Sequence, residues 1–283
     1  MSPAPRKKGS RPPRRSGPPA ARGARPGPPR QRQRAATDLG GDQVEGRRAV
    51  IELLEAGRRP VNKVMMATEL DGSDQLDRIE ELCRSKRILL EMVSRGRIDK
   101  TAATESHQGV LAFARPLKVL EIDALVEPAS GVTPFLLVCD GVTDPHNLGS
   151  LLRSAECAGV TGVILPRHRS ARVSPTVAKV AAGAIEHLDF ASAPGIPTVL
   201  DRLTKSGVTV IGLAGEATTS LWDLELRDRP LAIVVGSEEK GLAALSRKRC
   251  TTLASIPQAG AIESLNASVA GAVAMFEIAR QRG

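Results

Sequence analysis

Four short and almost continuously apolar runs in the second half of this 283-residue chain constrain its fold most. They are FLLVCDG (135–141), GVILP (162–166), VTVIGL (208–213) and LAIVVG (231–236), and helical stretches at 148–158, 175–184 and 196–205 separate them. Buried strands alternating with helices are typical of a parallel sheet covered on both faces. Ligands bind such sheets where loops leave the carboxyl ends of the strands. We therefore expect a functional site in the loops after Asp140 and Gly236.

A smaller α/β unit is predicted ahead of that sheet, over residues 44–114. Its helices are expected at Arg47–Ala56, ended by Gly57, and from Ser73 to Leu82, and its strands at 61–67, 88–93 and 109–113. Residues 115–133 contain Pro116, Pro128 and Gly131 around a short helical piece, which is typical of an interdomain linker. The remaining residues, 134–283, form the predicted second domain.

Most of the chain's positive charge lies in its first 36 residues. This stretch holds 11 Lys/Arg, nine Pro and no acid, so the remaining chain has 29 basic against 31 acidic residues. A segment of this composition cannot bury a core, and residues 1–41 are predicted to be a disordered basic tail. Two interpretations stay open for the tail: an electrostatic arm for RNA, or a solubilising extension.

Composition also excludes several classes of function. With four Phe, one Trp and no Tyr, the chain lacks the aromatic surfaces on which many single-strand RNA binders stack bases. Its four cysteines are far apart and show no zinc or disulfide spacing, so no metal is expected. No apolar stretch is long enough to span a membrane, and no secretory signal is recognisable. We expect a cytoplasmic protein without a membrane partner.

Familiar nucleotide-binding fingerprints are absent from the sequence. The 26 glycines never occur two apart, which excludes the G-x-G turn of dinucleotide-binding and ordinary Rossmann-like methyltransferase domains. Gly236 to Gly241 has Walker-like spacing, but Leu242 stands where a Walker loop needs Lys. No metalloprotease or hydrolase motif occurs either.

Three loop-to-helix junctions carry polar residues at predicted strand ends. In the first, Asn147 is a good candidate for a helix N-cap after Pro145, and Arg153 points away from the apolar face of the same helix. Arg153 is either a solvated side chain or a phosphate ligand.

The second junction, Gly236 to Leu242, ends a buried strand in Gly, which would let a ligand approach the backbone. Glu238 or Glu239 could also simply favour the start of a following helix. In the third junction, Ser264 or Asn266 could cap the long C-terminal helix, and two such residues exceed what one helix start needs.

These junctions together resemble the three motifs of the SpoU (TrmH) family of ribose 2′-O-methyltransferases. The motifs are NLGSLLRSA (147–155), LAIVVGSEEKGL (231–242) and IPQAGAIESLNASVA (256–270), in the family's order and spacing. GRRAV (46–50) and HQGV (107–110) resemble the substrate-binding domain of the family's RlmB-like branch. Glu239 and Gln258 depart from the family's usual Gly and Met.

The resemblance implies a SPOUT-type α/β fold, in which the parallel sheet carries a deep trefoil knot, as well as a homodimer. It implies S-adenosylmethionine as cofactor, bound largely by backbone groups at Gly236, Ile256 and Leu265. It assigns Arg153, Asn147, Glu238, Ser264 and Asn266 to catalysis. Because an arginine stays protonated, we expect Arg153 to stabilise the forming alkoxide and a nearby phosphate, although the family's proposals make it the base.

The resemblance further implies structured RNA as substrate, most simply a guanosine ribose in large-subunit rRNA, because tRNA-specific relatives usually lack the first domain. Two alternatives stay open. One is ribose methylation of tRNA, and the other is an inactive RNA-binding factor for ribosome assembly.

Overall fold

The computed structural model describes residues 1–2, 39–128, 131–168, 170–227, 229–262 and 264–283. The predicted tail, residues 1–41, lies almost entirely outside the described residues. Within the described residues, two sheets organise the chain, one of four strands and one of seven.

The four-stranded sheet has the order β1-β4-β2-β3, and only its β2–β3 pair is parallel. Its elements are β1 (Gln43–Glu45), α1 (Arg47–Ala56), β2 (Val61–Ala67), α2 (Asp74–Lys86), β3 (Leu89–Val93), α3 (Arg95–Thr101) and β4 (Val110–Ala114). Alternate residues of β2 face opposite sides: Val64 and Met66 pack with α1 and α2, whereas Met65 packs with Ile98 of α3. As predicted, α1 ends where Gly57 adopts a left-handed conformation.

The seven-stranded sheet is parallel throughout and has the order β11-β9-β10-β6-β7-β8-β5. Its strands are β5 (Val119–Leu120), β6 (Phe135–Asp140), β7 (Gly162–Pro166), β8 (Phe190–Ala193), β9 (Thr209–Leu213), β10 (Leu231–Gly236) and β11 (Thr252–Ala254). Its helices are α4 (Ile122–Val126), α5 (Pro145–Cys157), α6 (Pro175–Val180), α7 (Ile196–Lys205), α8 (Ala244–Arg249) and α9 (Ala267–Arg282).

Helices cover both faces of this sheet, as predicted. Leu137 and Ile233 belong to a core that includes residues of α5, α6 and α9. Val138 and Val234 belong to the opposite core, which includes residues of α7. The near-continuous apolar runs are therefore strands buried on both sides.

Several elements differ from the sequence-based expectation. The predicted linker contributes β5, which pairs with β8, and α4, whose Ile122 and Leu125 are buried. The helix predicted at 175–184 ends at Val180 and is followed by a short 3₁₀ turn at Ala184–Glu186. Asn147 is not the N-cap of α5. Asp144 caps this helix by accepting from the N–H of His146, and Pro145 opens the helix because its fixed φ suits the first helical position.

The GRRAV and HQGV motifs meet within the smaller domain. The N–H of Arg47 donates to Gln108 Oε1 at 3.0 Å, and the N–H of Gly46 donates to the carbonyl of Val110 at 3.1 Å. Gly46 has φ +93° and Gln108 has φ +56°, so these turns depend on left-handed backbone conformations. Lys179 of α6 reaches Ser106, beside the second motif. The motifs thus organise the part of this domain that contacts the seven-stranded sheet's helices.

The segment after β9 contacts both β11 and the last turns of α9. Ser220 forms a parallel bridge with Ser255. The N–H of Leu226 donates to Gln281 Oε1 at 2.8 Å, and Gln281 Nε2 donates to the carbonyl of Leu224 at 3.1 Å. These contacts are consistent with the expected trefoil knot, which itself stays a prediction. Among the described helices, none is long and apolar enough to cross a membrane.

Candidate active site

The site forms where the strand order of the large sheet reverses. From β6 the chain proceeds outward through β7 and β8, and it then returns to the other side through β9, β10 and β11. Asp140 ends β6 and Gly236 ends β10, and these two residues are paired in register. The loops after them leave the same carboxyl-terminal edge side by side, which is the position expected for a ligand site in this type of sheet.

A cavity of about 290 Å³ opens at this edge. Gly236, Ile256 and Leu265, the three predicted cofactor residues, all line it, together with Glu238 and Ser264. The structure therefore brings together five of the eight predicted site residues, from the loop after β10 and the loop between β11 and α9. Their roles stay predictions.

The loop after β10 doubles back on Gly236. Ser237 and Gly241 exchange two backbone hydrogen bonds of 3.0 and 2.9 Å, and Gly241 has φ +60°. A Cβ on Gly236 would lie 2.2 Å from the carbonyl carbon of Gly241. From the sequence, we expected glycine at position 236 because it would let a ligand approach the backbone. The structure shows a more immediate reason for glycine, because the loop's own backbone occupies that space.

Backbone groups of two lining residues are free to bind a ligand. Across the described part of the chain, the N–H and C=O groups of Ile256 and Leu265 make no hydrogen bond to protein atoms. Unpaired backbone donors and acceptors need a partner, either water or a bound molecule. They offer the backbone contacts that the family resemblance predicts for the cofactor.

Asn266, rather than Ser264, caps the C-terminal helix α9. Asn266 Oδ1 accepts from the N–H groups of Ser268 (2.9 Å) and Val269 (3.3 Å) and from the Ser268 hydroxyl (2.6 Å). Capping thus uses the oxygen of Asn266 and leaves Ser264 lining the cavity. This arrangement resolves why the sequence carries two candidate caps two residues apart.

Asn147 is buried in the first turn of α5, with 7% of its surface exposed. Its Nδ2 donates to Asp144 Oδ2 at 2.9 Å, while Oδ1 of the same carboxylate caps the helix. These hydrogen bonds from His146 and Asn147 hold the pKa of Asp144 below its ordinary value. Asn147 therefore belongs to the structure of this helix start and does not line the cavity.

Arg153 is exposed and lies outside this cavity. It lines a separate cleft of about 360 Å³ that also includes Arg48 of α1. In the described residues, Arg153 forms no ion pair and no hydrogen bond through its guanidinium. A single copy of the chain therefore does not bring the predicted catalytic arginine to the predicted cofactor residues.

Sequence reasoning missed the contribution of the loop after β9. Glu216 lines the cavity, and its carboxylate pairs with Arg247 of α8, another lining residue. Hydrogen bonds from its own backbone and from Arg247 hold the pKa of Glu216 below its ordinary value. The sequence did contain a signal for this loop. Strand β9 was predicted, and in a parallel sheet the loop after it must leave the same edge as the loops after the other strands.

The cavity lining fits S-adenosylmethionine. Leu213, Ile256 and Leu265 offer apolar contacts for a purine ring, and free backbone groups stand beside them. Glu216 and Glu238 offer carboxylates for the cationic sulfonium and ammonium groups. In contrast, the described residues contain no cluster of three His, Cys, Asp or Glu side chains suited to a metal ion.

Comparison with known proteins agrees with this fold. Residues 134–276 match the model of the SpoU rRNA Methylase family, and residues 43–120 match the model for RNA 2′-O ribose methyltransferase substrate binding. The chain therefore belongs to the SpoU methyltransferase family.

Individual members of the family resemble the chain over most of its length. The 23S rRNA (guanosine-2′-O-)-methyltransferase RlmB of Pseudomonas aeruginosa is 40% identical, over 85% of this chain and 97% of that protein. The enzyme of the same name from Shewanella oneidensis is 38% identical, over 85% and 98%. The crystal structure of the SpoU methyltransferase AviRb from Streptomyces viridochromogenes with AdoMet superposes with a TM-score of 0.72. It is 25% identical and covers 90% of this chain and 94% of that chain.

Proposed function

We propose that this protein transfers the methyl group of S-adenosylmethionine to the 2′-oxygen of a guanosine ribose in large-subunit rRNA. The observation that carries the proposal is a cavity at the strand reversal that is lined by Gly236, Ile256 and Leu265 together. The RlmB relatives, named as 23S rRNA guanosine-2′-O-methyltransferases, support the choice of RNA and nucleoside. From a substrate of this kind we also infer a cytoplasmic location.

Arg153 has the central chemical role in this proposal. S-adenosylmethionine, when bound, supplies a methyl group carried on a positively charged sulfur. As the new carbon–oxygen bond forms, the methyl–sulfur bond would break and leave a neutral thioether, and the ribose hydroxyl would lose its proton to solvent, so negative charge develops on its oxygen. A guanidinium stays protonated and stabilises that charge, as an electrostatic catalyst does. Its guanidinium is exposed and forms no ion pair or hydrogen bond within the described residues, which leaves its donors available for RNA.

The other predicted catalytic residues act by positioning. Asn147 and Asp144 fix the start of α5, the helix that carries Arg153. Asn266 fixes the start of α9 directly after Ser264 and Leu265. Glu238 and Ser264 line the cavity with exposed polar groups that can hydrogen-bond a ribose. Together they hold the reacting groups in line, which accounts for much of the rate in such transfers.

We further propose that the protein acts as a homodimer. One side of α9 packs against α5 and β10, where Gly271 is so close that a Cβ would lie 2.4 Å from Leu151 Cδ2. The other side exposes Val269 and Phe276 at 47% and 49%, and Leu265 just before it at 40%. An apolar stripe of this kind on a helix indicates a protein interface. A second copy would also supply the Arg153 that the cavity of a single chain lacks.

Mapping ribose methylation in total rRNA and tRNA, from cells with and without this protein, tests the proposed function. The proposal predicts the loss of one 2′-O-methylguanosine from large-subunit rRNA. Loss of a tRNA methyl group would instead support the tRNA enzyme. If ribose methylation were unchanged in both rRNA and tRNA, the result would support the alternative that the protein is an inactive ribosome assembly factor.

A further inference from the structure

The cleft that contains Arg153 is built by both domains. It is lined by Arg48 and Glu52 of α1, by Arg153, Glu156 and Cys157 of α5, and by His187 and three alanines, Ala181, Ala182 and Ala184. The alanine side chains are small and take up little of the cleft. The cleft has about the size of a ligand subsite, at roughly 360 Å³.

Close approach of the two domains at this point depends on Gly183. It has φ +91°, and a Cβ there would lie 2.3 Å from Glu52 Cβ. His187 Nε2 lies 3.1 Å from Glu52 Oε2 on the same side. Glycine therefore lets α1 dock against the 181–187 segment, and this docking brings Arg48 and Arg153 into one cleft.

The two arginines of the cleft have N–H donors available for an anion. Two carboxylates line the cleft beside the two arginines. Glu156 lies beside Cys157. Glu52 is already engaged, because Arg48 Nε donates to its Oε1 at 3.0 Å and His187 contacts its other oxygen. A guanidinium has five N–H donors, so this single bond leaves Arg48 four. Its side chain is 69% exposed, and Arg153 beside it has no protein partner among the described residues. Two guanidiniums that line one cleft offer the planar pairs of N–H donors that bind a phosphate.

We propose that Arg48 is a positioning residue of the methyl transfer: together with Arg153 it binds one phosphate of the RNA backbone next to the target ribose. This inference rests on the proposed function, and it connects the smaller domain directly to the reaction. Because Arg48 does not touch the reacting atoms, it acts on the binding of RNA and not on the chemical step.

Steady-state methylation of in vitro transcribed large-subunit rRNA, at several salt concentrations, tests this role. For Arg48→Ala we expect the KM for RNA to rise about tenfold while kcat stays within about twofold. The slope of log affinity against log salt should become about one unit shallower, because one phosphate contact is lost. Arg48→Lys should restore part of the affinity, since it keeps the charge without the planar fork.

The matched control is Arg84→Ala, which removes an exposed arginine of the same domain on α2, outside the cleft. If Arg48→Ala and Arg84→Ala both keep the wild-type KM and salt slope, the Arg48 proposal is wrong. If the wild-type protein transfers no methyl group, the proposed function fails instead. The salt dependence of RNA binding, measured by filter retention, then still decides whether Arg48 contacts a phosphate.

Discussion

Arg59 of the smaller domain and Glu186 of the methylase domain form an almost completely buried ion pair. Arg59 Nε lies 2.8 Å from Glu186 Oε2, Nη2 lies 2.6 Å from Oε1, and the two side chains are 7% and 1% exposed. Arg59 Nη1 also donates to the carbonyls of Gly41 and Arg115. The Arg59 guanidinium thus links the smaller domain to the methylase domain. It also holds the two chain segments, at Gly41 and Arg115, through which the chain enters and leaves the smaller domain.

Removing one partner of this pair should be costly. Arg59→Ala leaves the Glu186 carboxylate buried without a cation, and we expect the free energy of unfolding to fall by about 3–5 kcal/mol. The adjacent Arg58 pairs with Asp189 in a largely exposed position, so Arg58→Ala should cost only about 0–1 kcal/mol. Urea unfolding followed by circular dichroism compares the two variants. If both variants lost the same free energy of unfolding, the buried pair would not be what holds the domains together.

Gly236→Ala should weaken cofactor binding. The added Cβ collides with the backbone of Gly241, so the loop that lines the cavity must move. We expect the Kd for S-adenosylmethionine, measured by titration calorimetry, to rise at least about tenfold, or about 1.4 kcal/mol. Gly195→Ala is the control, because a Cβ there meets no atom within 4 Å and the residue lies outside the cavity. Wild-type affinity in Gly236→Ala would argue against this cavity as the cofactor site.

Asp144→Ala should destabilise the start of α5. Loss of the cap should cost about 1 kcal/mol of unfolding free energy and release Asn147 from its hydrogen bond. Since the folded pKa of Asp144 is lowered, its contribution is present above the ordinary Asp pKa and is lost as the pH falls through the lowered value. The difference in stability between wild type and variant should therefore vanish in acid. A difference that persists there would contradict this assignment.

Arg153→Ala should lower kcat by about 100-fold or more, as loss of an electrostatic catalyst does. If Arg153 serves the cavity of a second copy, the two variants Arg153→Ala and Gly236→Ala should complement each other in assays at an S-adenosylmethionine concentration too low to saturate Gly236→Ala. Refolding Arg153→Ala together with Gly236→Ala creates mixed dimers with one intact cavity facing one intact arginine, and part of the activity should return. Each variant refolded alone is the control. No recovery in mixed dimers would place both functions within one chain.

The sequence predicted the large sheet well because its strands are buried on both faces. Such runs are apolar throughout, and their loops must leave a common edge, so a site in the loops after Asp140 and Gly236 followed from the pattern. That these two residues are paired in register on neighbouring strands is known only from the structure. Short strands carry no such signal. Val119–Leu120 has only two residues and looked like part of a linker, because its place in the sheet depends on contact with β8.

Within the site, the local roles of residues in a single loop could be predicted from the sequence. The positions of the loops relative to one another could not. Asn266 was a recognisable cap, but only the fold shows that it leaves Ser264 to the cavity. The helical pattern of the sequence showed that Arg153 points away from the apolar face of its helix. Its distance from the cavity depends on where α5 packs against the sheet, and its nearness to Arg48 depends on how the two domains dock; no local pattern encodes either.

Methyl transfer by the purified protein tests the central claim most directly. The protein is incubated with isotope-labelled S-adenosylmethionine and large-subunit rRNA lacking its modifications, and digestion with mass spectrometry identifies the labelled nucleoside. The account predicts labelled 2′-O-methylguanosine at one position, and little or none with Arg153→Ala. Label on a base, or no label in wild-type reactions under conditions where S-adenosylmethionine binds, would contradict it.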